Sequence, residues 1–311
     1  MQPPQLTIQP LNFAASPTAD WQTMVDLAVA ADRAGVDRIV VSDHVVMGEQ
    51  LEAYGDPSIG GTEGGRQPTG PDGQWLEPLT TLTWLAAQTS SVRLGTNILL
   101  AALRRPVVLA KTLATLDVLS GGRVDLGVGV GWQREEYEAA GLRFEDRGRL
   151  LDHSLEVCQA LWSGGATDYD SPELSFERVH CSPTPVQDGG VPIWVSGTVN
   201  PRSMRRLARF GSGWIPWGPA VADPINGIAE MRAAVAEHGR DPLEIQVTAY
   251  AATVKDSAGT LDTTATAEGA AALCRAGATD IKLSLPVPAG VDAGTEYLRG
   301  VVDAFRDATA A

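Results

Sequence analysis

The 311-residue chain has few cysteines, three in all (Cys158, Cys181 and Cys274), far apart and with no C-x-x-C pair. An odd count at that spacing excludes a disulfide framework and a zinc-ligand pattern, and suits reduced thiols in a cytoplasmic protein. Positive charge is short as well: 24 Lys and Arg stand against 38 Asp and Glu, a formal net charge of -14. So acidic a chain repels phosphate backbones, and no nucleic-acid partner is expected. No apolar run approaches the roughly 20 residues of a membrane span. The opening MQPPQLTIQP lacks a basic region followed by an apolar core, so neither a secretory leader nor a membrane role is expected. The four histidines make no H-x-H or H-x-x-x-H pair, which argues against a metal site and a metal-dependent hydrolase.

What is present is a sequence 44% hydrophobic, enough for a substantial core; the expectation is one domain over residues 1–311. Its centre is Ser120–Trp132, SGGRVDLGVGVGW. Gly121–Gly122 close a helix. Val124–Val130 reads as a buried parallel strand interrupted only by Asp125. Gly129, Val130, Gly131 and Trp132 then offer small residues where a flat ligand or a phosphate can approach backbone, and Glu135 and Glu136 suit the dipole of the next helix. The nucleotide fingerprint G-x-G-x-x-G fails, because Trp132 stands where its third glycine belongs.

In chain order, strands are expected at Leu6–Phe13, Arg38–Ser42, Val92–Leu100, Val124–Val130, Pro192–Thr198, Gly213–Gly218, Glu244–Tyr250 and Asp280–Leu285. Helices are expected between them, among them Asp20–Ala34, Pro78–Thr89, Arg147–Trp162, Pro201–Phe210, Asp223–His238 and the closing Thr295–Thr309. The pattern lapses twice, at about 45–77, a Gly-rich excursion read as a lid, and at 163–191. Strands alternating with helices imply parallel pairing, and eight of them fit a closed (β/α)8 barrel with insertions after strand 2 and before strand 5. A doubly wound open sheet is the alternative. In such a barrel chemistry sits where the strands end, here at Asp43–His44, Thr96–Asn97, Gly129–Trp132, Ser196–Thr198 and Trp217–Gly218. His44 is the candidate catalytic residue, since imidazole as a class exchanges protons near neutral pH. Trp75, Trp132 and Trp217 are candidate walls of a substrate pocket.

These stretches resemble the bacterial luciferase-like superfamily of flavin- and deazaflavin-dependent barrel oxidoreductases. The marks are SDH at Ser42–His44, VRLGTNILLAALRRPVVLAKTLATLDVLSGGRVDLGVGVGW at Val92–Trp132, FEDRGRLLDHSLEVCQALW at Phe144–Trp162 and VPIWVSG at Val191–Gly197. GVGVGW and the SDH triplet look more like the deazaflavin branch. The resemblance therefore implies an oxidoreductase using coenzyme F420, with an FMN monooxygenase served by a flavin reductase and O2 as the alternative, and a non-catalytic relative as a third. It also implies a homodimer, a small-molecule substrate, Asp43 and His44 beside the cofactor ring, and a bulge, often with a non-proline cis peptide, at Asn97–Ile98. For such a cofactor, Gly197, Thr198 and the helix start at Asn200–Pro201 offer backbone N–H groups to a phosphate, with Arg202 as its charged partner. Arg206 and Arg209 are expected on a solvated face. Thr96, Asn97, Gly129, Val130, Gly131 and Ser196 complete the expected cofactor set.

Overall fold

Eight parallel strands close on one another in the computed structural model, which describes residues 3–16 and 18–310. They are β1 (Gln5–Ile8), β2 (Arg38–Val41), β3 (Arg93–Thr96), β4 (Val124–Val128), β5 (Ile193–Gly197), β6 (Gly213–Pro216), β7 (Gln246–Tyr250) and β8 (Asp280–Lys282). Each pairs with its sequence neighbours, and β8 returns to β1, with Leu6 opposite Ile281. The fold is a (β/α)8 barrel. Around it lie α1 (Gln22–Ala34), α2 (Pro78–Gln88), α3 (Pro106–Ser120), α4 (Arg134–Ala139), α5 (Arg147–Trp162), α6 (Pro201–Phe210), α7 (Pro224–Glu237), α8 (Thr263–Arg275) and α9 (Val291–Ala310). Local chemistry sets the ends: Gly35 closes α1 and Gly121 closes α3, each in the left-handed conformation that glycine adopts without a steric penalty.

The strands are shorter than the sequence suggests. The expected strand Leu6–Phe13 breaks after Ile8, and Phe13–Ala14 instead pairs antiparallel with Gln74–Trp75 outside the barrel. Strand 3 stops at Thr96, and the Asn97–Ile98 peptide that follows is cis. Strand 6 stops at Pro216, before Gly218 turns to a positive φ of 63°. The helix expected at Asp223–His238 is α7, whose cap Asp223 accepts from the N–H of Asn226, and a short turn, Pro219–Ala222, precedes it. Of the two irregular stretches, 45–77 carries two 3-10 turns (Leu51–Gly55 and Pro57–Ile59), and 163–191 carries the hairpin Thr167–Asp170 with Ser175–Val179.

The polar break at Asp125 has its reason at the barrel floor. Arg38 Nε lies 2.8 Å from Asp125 Oδ2, Arg93 Nη2 lies 2.7 Å from Asp125 Oδ1, and Arg38 also pairs with Asp280. Burial works to raise the Asp125 pKa, but Arg38 and Arg93 outweigh it and hold the carboxyl below its ordinary value. Inside the barrel only a cavity of about 20 Å³ remains, lined among others by Thr7, Asn97, Thr248 and Lys282. That is room for about one water. An organic ring does not fit there.

Candidate active site

At the C-terminal rim, His44 follows β2 and its Nδ1 lies 3.1 Å from Oε2 of Glu136 in the first turn of α4. The other oxygen of that buried carboxylate accepts from the Val45 N–H at 2.8 Å. An ionised carboxylate only accepts, so against it Nδ1 carries the proton and Nε2 stays available to a ligand. Sequence reasoning gave Glu136 no more than a favourable place at a helix start. The two residues are 92 positions apart, and nothing in the local pattern announces the pair.

Asp43, expected beside a ring, has protein partners on both of its oxygens. Its Oδ2 accepts from the Leu100 N–H at 2.8 Å and from Arg104 Nη1 at 2.6 Å, and its Oδ1 takes Arg104 Nη2 at 3.1 Å. Arg104 in turn reaches Glu77 at 2.8 Å. Burial works to lower the Arg104 pKa, but the two carboxylates more than offset it. Both oxygens of Asp43 are thus engaged in fixing the segment after the cis peptide.

Asn97 receives Ser42 Oγ on its carbonyl at 3.1 Å and lies 3.5 Å from the Tyr250 hydroxyl. Thr96 is buried, its hydroxyl donating to the Gly127 carbonyl at 2.7 Å. The glycines of GVGVG make room chiefly for protein. A Cβ on Gly129 would stand 2.8 Å from Ile98 and one on Gly131 2.8 Å from Leu100, so glycine lets the bulge after β3 nest against the end of β4. The Val130 carbonyl accepts from the Tyr137 hydroxyl at 2.7 Å.

Ser196 and Gly197 end β5, and Thr198 follows them towards α6. The helix start offers less to an anion than its sequence implied, because the Asn200 side-chain oxygen already accepts the N–H groups of Arg202 and Ser203, both at 3.0 Å. The basic patch on α6 is largely neutralised as well. Arg206, expected on a solvated face, is only 5% exposed and pairs with Asp152, while Arg209, exposed as expected, reaches Glu156 at 2.6 Å. Arg202 alone among the four has no ion pair among the described residues. Its neighbour is Arg147, the first residue of α5, which sequence reasoning passed over. The Arg147 guanidinium stacks 3.8 Å from the Phe144 ring centroid and donates to the Phe144 and Ile59 carbonyls at 3.0 and 3.2 Å. Its buried Nε has no partner, and burial lowers its pKa. Arg147 and Arg202 thus feel each other as like charges, with Glu145 offsetting part of the charge on Arg147.

The excursion 45–77 lies across this rim. Trp217 donates to the carbonyls of Gly60 and Gly61, both at 3.1 Å, and Tyr54 packs edge-on against Trp132 at 5.3 Å between ring centroids. Among the described residues no helix is long and apolar enough to cross a membrane, and no group of three His, Cys, Asp or Glu is placed to hold a metal ion.

A barrel of this kind, with its polar pair at the strand ends, defines the class; sequence comparison gives the family. The family model for luciferase-like monooxygenases matches residues 6–278, and the chain belongs to that family of enzymes. It is 35% identical over 170 residues to an uncharacterised protein of Mycobacterium bovis, covering 54% of this chain and 59% of that protein. It is 32% identical over 200 residues to an F420-dependent glucose-6-phosphate dehydrogenase of Nocardia farcinica, covering 62% of this chain and 52% of the relative. The matches thus span little more than half the length of these relatives. Among solved structures, an F420-dependent secondary alcohol dehydrogenase bound to an F420-acetone adduct superposes with a TM-score of 0.73 at 17% identity, covering 98% of this chain and 100% of the other. A long-chain alkane monooxygenase superposes with a TM-score of 0.72 at 13% identity, covering 99% and 92%. At such identities these structures establish the fold alone.

Proposed function

We propose that the chain is an F420-dependent oxidoreductase, passing hydride between the deazaflavin and a small organic substrate. The observation that carries the reading is the His44–Glu136 pair beside the Asn97–Ile98 bulge, with one imidazole nitrogen left for substrate. The rim fits such a cofactor. Arg147, with its unpartnered Nε, and Arg202 answer a phosphate at the Gly197–Thr198 turn, and the bulge with Gly129–Gly131 backs a flat ring. When bound, the deazaflavin supplies the hydride donor or acceptor. His44 gives or takes the substrate proton at Nε2, Glu136 holds the ring by Nδ1, and Asp43 through Arg104 fixes the segment against which both sit. The excursion over the rim excludes water, which strengthens each of these interactions. The F420-dependent relatives support the choice of cofactor. The reading takes residues 1–311 as one domain of a cytoplasmic homodimer, with a separate F420 reductase as the electron source.

The second reading, an FMN monooxygenase using a flavin reductase and O2, is favoured by the monooxygenases among the structural neighbours. Titration of the purified protein with F420 and with FMN, followed by fluorescence, tests the choice. Quenching of F420 alone is expected; tight FMN binding with no F420 response overturns it in favour of the second reading. Binding of neither points to a non-catalytic relative.

A further inference from the structure

Six rings stand in unbroken contact along the rim. Phe13 stacks on Trp75 at 4.3 Å between centroids, Trp75 meets His44 at 4.6 Å, and His44 meets Trp132 at 5.8 Å. Tyr54 continues the row at 5.3 Å from Trp132 and 6.1 Å from Trp217. The row carries little polarity of its own. The Trp75 indole N–H is taken by Thr69 Oγ1 at 3.0 Å and that of Trp217 by loop carbonyls, so both present faces. Within this row the polar atoms left to a ligand are His44 Nε2, the Trp132 N–H and the Tyr54 hydroxyl. Beyond His44 the chain adds Val45 and Val46, 51% and 46% exposed.

The charges around the row decide what it tolerates. Glu136 brings a carboxylate against His44, and Asp43 is matched by Arg104, which Glu77 also holds. Among the described residues no Lys or Arg stands over the Trp75 or Trp132 ring, and the ion partner of His44 is a carboxylate. An anionic substrate there meets Glu136 without compensation, in surroundings of low dielectric where like charges repel strongly. A neutral body escapes that repulsion, gains apolar contact with the ring faces, and has to satisfy only one polar atom, at His44 Nε2.

We propose that the substrate is an uncharged molecule with an apolar, ring-sized body and a single hydroxyl or carbonyl oxygen directed to His44, and that sugar phosphates are excluded. This sets the chain apart from the matched glucose-6-phosphate dehydrogenase. The inference rests on the oxidoreductase reading for its site, with Arg147 and Arg202 given to the cofactor phosphate, but its test does not need the cofactor. Saturation-transfer NMR on the protein without added cofactor, with acetophenone, 1-phenylethanol and glucose 6-phosphate as separate probes, reads binding directly. Signal from both aromatic probes and none from the sugar phosphate is expected. Trp75→Leu, checked for folding by circular dichroism, should weaken acetophenone binding about two- to tenfold, the worth of one aromatic contact. Glucose 6-phosphate binding with silent aromatic probes, or silence from all three, overturns the inference, whatever the F420 titration gives. Unchanged acetophenone affinity in folded Trp75→Leu and Trp217→Leu overturns the assignment of its place.

Discussion

The floor and the rim of this barrel use the same part, a buried carboxylate with a basic partner, to opposite ends. At the floor Asp125 has an arginine on each oxygen and Arg38 spans two carboxylates, so every group is matched inside the protein. At the rim Glu136 is matched but His44 keeps a nitrogen in reserve, and Arg147 keeps an unpartnered Nε. A pair closed on itself holds structure; a pair with an open edge holds a ligand. Asp43–Arg104 shows the two kinds side by side, a closed pair at the rim that steadies the open one.

Breaking the open pair should have the largest effect. His44→Ala is expected to lower turnover roughly 10²–10⁴-fold, the range of a general acid or base, while cofactor affinity changes little. Turnover and F420 affinity measured on one folded variant check this; wild-type turnover would remove His44 from the chemistry. Breaking the closed pair should instead cost the fold. Asp125→Asn leaves Arg38 and Arg93 short of a charge and should destabilise by about 3–5 kcal/mol, read by urea unfolding. Next comes the anchor: Arg202→Ala should weaken cofactor binding by about 1.5–3 kcal/mol, more at low salt than at high. An unchanged, salt-insensitive dissociation constant would return Arg202 to the solvated face. The smallest effect is one of pH. The native pKa of Asp125 is depressed, so its stabilisation is complete above the unfolded value, about 3.9, and is lost as pH falls through the lower native value. Asp280 is shifted the other way, burial holding it above its ordinary value despite Arg38, so it opposes that trend. Thermal melts below about pH 4 should therefore show a shallower acid limb for Asp125→Asn than for the wild type.

Local pattern carried the architecture. The alternation of apolar runs and capped helices was enough for the eight strands, and Asp125 already stood out as the one charge in a buried run. Pattern carried the site less far, because a site is made of contacts across the chain. SDH marked His44, but Glu136, Arg104 and Arg147 belong to other elements, and their pairing depends on how strand ends converge. Arg206 shows the same limit. Its side chain looks solvated in the sequence until Asp152 of α5 is seen to face it. Strand lengths failed after Ile8, where Phe13 pairs with Trp75 outside the barrel, and after Thr96, where the apolar run continues beyond the strand.

The excursion over the rim has a consequence for timing. It is tied at its start by Val45 to Glu136, in its middle by Ile59 to Arg147 and by Gly60 and Gly61 to Trp217, and at its end by the two-strand pairing of Trp75 with Phe13. Each tie is only a bond or two, and such local contacts open far more readily than a barrel core. Opening of such a cover belongs to the microsecond-to-millisecond range of loop motions. The tie at Ile59 uses Arg147, the arginine that the proposed function gives to the cofactor phosphate. On that proposal, loading the site and shutting it are coupled through one side chain.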